Sequence, residues 1–410
     1  MRIHTNCSVD KILDRYNMGK RDKKTLFLIE MIFHYKDETE KEINSYIKKY
    51  KEENPATNDK KTFMIWCNQN VPVELRGNVR NKYLGVPINV LKRSTTKYKT
   101  LSQIGIAVDI QGNDRNTDYL EQWDQLAEKM MEFGPFYETH AHYNLGQYNK
   151  NRAEVLEKIR AAGVAQCIIP SVEAYKSGHN LNQSIKEMFD AYEWVWYAFA
   201  SHPKYLWKDC EWTAERWDKM EELLSDPKCV AVGETGLDYS YPGFDREHQS
   251  IQKHFFSRFI TLANKHKLPL ILHFRPGAFS ENADYKPNVN DDAIRILSEH
   301  PVGYGAVVHC FGGDEKVMRR YLDHGVEYFG IGGRILYGEV ELEKAVKAMP
   351  AQSILLETDS PYINSVEGIS GPNISVSLMT IAQRIAELRG MSVQELIRLT
   401  YKNAKRLFGN

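Results

Sequence analysis

From residue 136 onward, apolar and polar positions keep a regular beat. Short runs of β-branched and aromatic residues occur at FYETHAH (136–142), GVAQCIIPSV (163–172), WVWYAFASHP (194–203), CVAVGETGLD (229–238), PLILHF (269–274), GAVVHCF (305–311), YFGIGG (328–333) and ILLETDSPY (354–362). Each reads as a strand. Between them lie charged segments with apolar residues three and four positions apart, among them AEVLEKIRAAG, WTAERWDKMEELL, EHQSIQKHFFSRFITLANKHK, DDAIRILSEH and EKVMRRYLDHG. These read as helices, and several close on the Gly that helix C-termini favour. Eight strands alternating with helices over about 270 residues predict an α/β fold, a (β/α)8 barrel. A doubly wound open sheet is the alternative, but it usually has fewer strands, and no GxGxxG follows the first run.

Residues 1–117 do not join this beat. TLFLIEMIFHY (25–35) and EKEINSYIKKY (40–50) predict amphipathic helices, KEENPATNDKK (51–61) a polar connection, and VPINVLK (86–92) and QIGIAVDI (103–110) strands. QGNDRNTD (111–118) has a linker's composition, and DYLEQWDQLAEKMMEF (118–133) predicts a helix leading into the first barrel strand. The expected division is a small α+β accessory domain over 1–117 and a barrel over 118–410.

The chain of 410 residues is long enough for both. Its 54 Lys+Arg balance 54 Asp+Glu, which removes any global pull towards nucleic acid or membrane. The first hundred residues nevertheless carry an excess of roughly nine positive charges. A solvated lysine-rich surface explains that excess; so does a winged-helix-like module whose Lys92, Arg93, Lys97 and Lys99, around Tyr98, meet phosphates. The apolar face of TLFLIEMIFHY suits docking to a protein partner or to a second copy of the chain. Six cysteines without CxxC spacing argue against a zinc ribbon or a disulfide framework and fit reduced cytosolic thiols. The N-terminus lacks the apolar core of a signal peptide, and no run is long enough to span a membrane, so a cytoplasmic location is expected.

Placing the chemistry-bearing residues on the strands changes the picture most. His140 and His142 project to one face of the first strand, because side chains alternate. His202 ends the third strand, Glu234 lies near the end of the fourth, His273 ends the fifth, His309 is near the end of the sixth, and Asp359 near the end of the eighth. Any one alone is a core histidine or a satisfied carboxylate. Together they lie at the carboxyl ends of strands, where barrel enzymes build active sites. Imidazoles and carboxylates gathered there need cations to balance them. Four histidines and two carboxylates, with His202 set aside, suffice for two divalent ions, with Mg, Mn and Zn as candidates.

GETGLDY (233–239), HCFGG (309–313), ETDSPY (357–362), ASHP (200–203) and NAKRLF (403–408) resemble the signatures of the TatD family of metal-dependent deoxyribonucleases, in order and at barrel spacing, over residues 136–410. The resemblance implies that His140, His142, Glu234 and Asp359 hold one ion and Glu234, His273 and His309 the other, with Glu234 shared. It also implies a catalytic part for Asp359, Glu234 and His202, the last against substrate phosphate or the attacking water, and DNA as substrate. Three departures stand out. Glu138 replaces the usual Asp of DxHxH. The stretch after His273 is long, although Arg275, a candidate for phosphate contact, is kept. GPNIS (371–375) replaces RNEP, removing an Arg. Two rival expectations remain: the same barrel hydrolysing an amide or ester such as an aminoacyl linkage to RNA, and a non-catalytic nucleic-acid-binding subunit.

Overall fold

The computed structural model describes residues 41–55, 60–71, 79, 117–176, 179–206, 212–240, 245–277, 287–366, 369 and 371–409. The chain divides into two compact units, Met1–Asp114 and Arg115–Asn410.

In the first unit, residues 41–53 and Lys60–Asn70 are helical. Ile43, Tyr50, Phe63, Trp66, Cys67, Val71 and Val79 form its buried cluster, with Tyr50 edge-on to Phe63 at 4.8 Å and to Trp66 at 5.3 Å. The polar connection expected over 51–61 is therefore shorter than its composition implied: Trp66 Nε1 donates to Glu53 Oε2 at 2.6 Å, and burial of Phe63 and Trp66 draws the flanking residues into helix. The expected helix at 25–35 and strands at 86–92 and 103–110 lie outside the described residues, as does most of the 111–118 linker.

The main sheet of the second unit has eight strands: β1 Phe136–Glu138, β2 Val164–Pro170, β3 Val195–Ala198, β4 Cys229–Asp238, β5 Leu270–Arg275, β6 Ala306–Val308, β7 Tyr328–Ile331 and β8 Ile354–Leu356. They pair in that order, every pair parallel. The circle closes beyond β1 and β8. Thr139 N–H donates to Leu356 C=O, Asp359 N–H to His140 C=O and His142 N–H to Ser360 C=O, with a parallel bridge between Ala141 and Ser360. This is the expected (β/α)8 barrel. Helices such as Arg152–Ala161, Ala214–Leu224, Arg246–His266, Val289–Glu299 and Glu315–Leu322 return the chain between strands. The lead-in expected as one helix over 118–133 is a 3-10 turn, Thr117–Trp123, followed by an α-helix, Asp124–Met131.

Every strand contributes to one buried cluster: Tyr137, Ile168, Ala198, Val230, Ala231, Ile271, Val307, Tyr328 and Leu355. Ala404, Leu407 and Phe408 of the last helix, Val393–Phe408, join the same cluster, and Arg406 Nε donates to Tyr328 Oη at 2.6 Å. Since Tyr137 and Tyr328 stand at the starts of their strands, this helix stoppers the amino-terminal end of the barrel. The carboxyl-terminal end is left for the histidines. Among the described residues no helix is long and apolar enough to cross a membrane.

Candidate metal centre

The two histidines of HAH lie past the regular end of β1, which stops at Glu138. Strict alternation from the strand, as expected from the sequence, does not carry them. Phe136 and Ala141 belong to the outer layer and Tyr137 to the interior, so the alternation slips once in between. The seam bonds to Asp359 and Ser360 set both rings instead. His202 likewise lies beyond β3, as N-cap of the 3-10 turn Pro203–Tyr205. Glu234 and His273 are within their strands, and Gly236 brings those strands together: a Cβ there would fall 2.2 Å from the His273 carbonyl oxygen. Asp359 has left-handed backbone, φ 55°, which Asp tolerates better than most residues with a Cβ.

Glu234 is the hub. Its Oε2 is 2.9 Å from His309 Nε2, 3.5 Å from His273 Nδ1 and 3.7 Å from His140 Nε2, while Oε1 is 3.8 Å from His142 Nε2. Asp359 Oδ1 stands 3.2 Å from His142 Nε2 and 3.8 Å from His140 Nε2. Two groups within 4.8 Å share this carboxylate, His140/His142/Glu234 and Glu234/His273/His309. The structure thus brings together all six residues singled out as ligands.

The donor set fits divalent cations. His140 Nε2 and His142 Nε2 face each other at 3.2 Å, close to the ~3.3 Å that separates two nitrogens on a tetrahedral ion with bonds of about 2.0–2.1 Å. His273 Nδ1 and His309 Nε2 approach to 2.8 Å. Buried imidazole nitrogens that close need a proton or a cation between them. Burial would raise the Glu234 pKa, but the imidazoles around it, His202 and His309 foremost, hold it well below the usual carboxylate range. Burial and the neighbouring His309 push the His140 pKa well down, keeping that ring neutral as a ligand must be. His142 is raised despite its burial, through Asp359 and Glu234.

Around these six stand residues to which the sequence reading gave no role. Asp238, buried at the end of β4, places Oδ2 3.2 Å from His273 Nε2, leaving Nδ1 to face Glu234. Glu357 lies under His309 and accepts from Cys310 N–H at 2.5 Å; burial raises its pKa well above the ordinary value, because His309 Nδ1, at 3.9 Å, is too far to oppose it with a hydrogen bond. Both were within quoted motifs, but their partners are on neighbouring strands. Glu138, the departure from DxHxH, does not reach the hub. It accepts from Thr358 N (3.0 Å), Thr358 Oγ1 (2.7 Å), Ser375 Oγ (2.7 Å) and His140 N (3.2 Å), and burial lifts its pKa to about 7.

His202 also groups with Asp238 and His273, yet its hydrogen bonding rules out ligation through Nε2. Lys204 N–H donates to Nδ1 at 2.9 Å, so in the neutral ring the proton sits on Nε2. Burial and His273 push its pKa down to about 3. His202 is a neutral N–H donor 4.1 Å, ring to ring, from His273. Arg275 is exposed at the end of β5. Of the long stretch behind it, 278–286 lie outside the described residues, and the helix Val289–Glu299 starts within it, capped by Asn288.

A closed parallel barrel with imidazoles and carboxylates converging at its carboxyl-terminal mouth defines a metal-dependent barrel hydrolase. Comparison with known proteins narrows the class. Residues 137–409 match the family described as TatD related DNase, and the chain belongs to the TatD family. A Bacillus subtilis protein named uncharacterized metal-dependent hydrolase YabD is 30% identical over 274 residues, 66% of this chain and 98% of that protein. A Citrobacter rodentium protein named 3'-5' ssDNA/RNA exonuclease TatD is 30% identical over 271 residues, 64% of this chain and 94% of its own. The crystal structure of YJJV, a TatD homologue from Escherichia coli, superposes with a TM-score of 0.55 at 26% identity, covering 67% of this chain and 98% of that one. These matches leave the first unit uncovered.

Proposed function

We propose that this chain is a cytoplasmic nuclease that hydrolyses phosphodiester bonds of DNA, single strands foremost, with two divalent ions. The observation that carries the proposal is the position of Glu234 between two imidazole groups on one barrel rim. His140, His142, Glu234 and Asp359 would hold one ion, and Glu234, His273 and His309 the other. Bound there, such ions lower the pKa of water and neutralise charge on the attacking and leaving oxygens of an in-line displacement. The chain's own groups do the rest. Asp359 orients the attacking water and accepts its proton. His202 Nε2–H donates to a non-bridging phosphoryl oxygen, and Arg275 offsets its charge. The name of the Citrobacter relative supports a single-stranded nucleic acid as substrate.

The first unit is proposed as a docking module for nucleic acid, for a protein partner or for a second copy of the chain. Its removal should leave hydrolysis by residues 115–410 intact while weakening strand binding or association. A loss confined to low salt indicates phosphate contacts, which release counterions.

The test is incubation of the manganese-loaded full chain with end-labelled single-stranded DNA, single-stranded RNA and an aminoacyl ester, beside Asp359→Asn. Shortened DNA products with wild type alone are expected. Ester cleavage without strand cleavage would move the reaction to carbonyl carbon, and equal products from both proteins would remove catalysis from this site.

A further inference from the structure

The imidazoles of His140 and His309 lie face to face, centroids 3.9 Å apart and planes 5° from parallel. Both turn Nε2 towards Glu234, at 3.7 and 2.9 Å, so both Nδ1 atoms point away from it. There each Nδ1 is buried and, among the described residues, lacks a hydrogen-bond partner; so does Glu357 Oε2. One ligand-type atom from each of His140, His309 and Glu357 lies within 4.8 Å of the others, and Glu357 Oε1 is 3.9 Å from His309 Nδ1. Three orphaned polar atoms in one buried spot are unusual. Their chemistry is complementary, because a histidine offering Nε2 to a cation carries its proton on Nδ1 and needs an acceptor there.

The barrel makes room for that acceptor. A Cβ on Gly330 of β7 would fall 1.9 Å from Glu357 Oε2 and 2.5 Å from its carboxyl carbon, so any side chain at 330 evicts the carboxylate. Cys310 N–H holds Oε1 from the other side. Closing 3.9 Å to a hydrogen bond takes a shift of about 1 Å.

We infer that Glu357 is a positioning residue for both halves of the centre: its carboxylate accepts hydrogen bonds from His140 Nδ1–H and His309 Nδ1–H and fixes both rings with Nε2 free for an ion. This rests on the two-ion reading above and extends it to a residue that would touch neither ion. His140 belongs with His142, and His309 with His273, so a single carboxylate ties the two groups together. Losing it loosens both sites.

The test is a zinc titration of the metal-free full chain against a competing chelator, for wild type, Glu357→Gln, Glu357→Ala and Gly330→Ala, with folding checked by circular dichroism. Each variant should bind both ions about 10- to 100-fold more weakly. Glu357→Gln should do no better than Glu357→Ala, because Cys310 N–H takes the amide oxygen and leaves an NH2 group against the imidazole N–H groups. Being isosteric, it also keeps the test open if Glu357→Ala does not fold. In zinc-loaded wild type labelled with 15N-histidine, the Nδ1–H resonances of His140 and His309 should lie downfield and move upfield in Glu357→Gln. Folded variants with wild-type zinc affinity and unmoved resonances overturn the inference. A wild type that binds one ion defeats the two-ion reading instead, and Glu357 is then judged on whether that ion's affinity falls.

Discussion

Asp238 and His273 clasp across two adjacent strands, Oδ2 to Nε2 at 3.2 Å. Asp238 is itself fixed, since its Oδ1 accepts from Ser240 N at 2.9 Å and Ser240 Oγ at 2.6 Å. The clasp aims His273 Nδ1 at Glu234. Asp238→Asn should therefore weaken the ion at His273 and His309 by about 10- to 100-fold and spare the one at His140 and His142. Elemental analysis after graded dialysis reads this as one ion retained and one lost; loss of both, or of neither, contradicts the assignment.

The same pair predicts a pH dependence for the metal-free protein. Although burial opposes it, the carboxylates of Asp238 and Glu234 raise the His273 pKa to about 9. A folded pKa above the unfolded value of about 6.5 means stability that is fully present below pH ~6.5 and lost as pH rises through about 9, by up to about 3 kcal/mol. The melting temperature of chelator-treated protein should fall across that window, less so in Asp238→Asn. Ion-loaded protein should show a flatter profile, because the ion replaces the proton. A flat profile for the metal-free protein would count against the clasp.

His202 should act without titrating. With its pKa near 3 and Nδ1 occupied by Lys204 N–H, it presents the same neutral donor from pH 5 to 8. His202→Ala should keep its ions, lose about 100-fold in turnover and leave the shape of the pH–rate profile unchanged. Disappearance of a limb near pH 6.5 in the variant would show that His202 had been exchanging protons.

Glu138 is expected to matter for stability more than for chemistry. Its carboxylate fastens Thr358, the neighbour of Asp359, to Ser375. Glu138→Asp restores the residue usual in the family but shortens the reach, leaving buried donors unpartnered. The cost should be about 1–3 kcal/mol in urea unfolding. Ser375→Ala combined with Glu138→Asp should cost less than the two changes summed, since they remove one shared network.

The barrel was legible because its signals are local and repeated. CVAVGETGLD matches β4 at both ends, since the apolar run Cys229–Val232 opens a strand that is buried throughout and Asp238 closes it. The six residues that gather at the rim were legible as candidates because rim chemistry interrupts those runs. The sequence did not reveal which nitrogen of His202 carries the proton, a matter decided by a backbone N–H two residues on. Nor did it reveal the duties of Asp238 and Glu357, whose partners come from other strands. The helix Lys60–Asn70 was missed because the polar KEENPATNDKK stretch read as connection beyond the point where Phe63 and Trp66 require burial.

The barrel's seam has a bearing on how the protein comes into being. Thr139 and Leu356, whose bond helps shut the circle, are 217 positions apart, and His140, His142 and Asp359 straddle that same join. A growing chain that has emerged only as far as β7 already owns every histidine of the centre, yet its first strand has no last strand to meet. The half of the centre at that join is thus completed last, and a prematurely terminated product carries every histidine of the centre without Asp359 or the seam that sets His140 and His142.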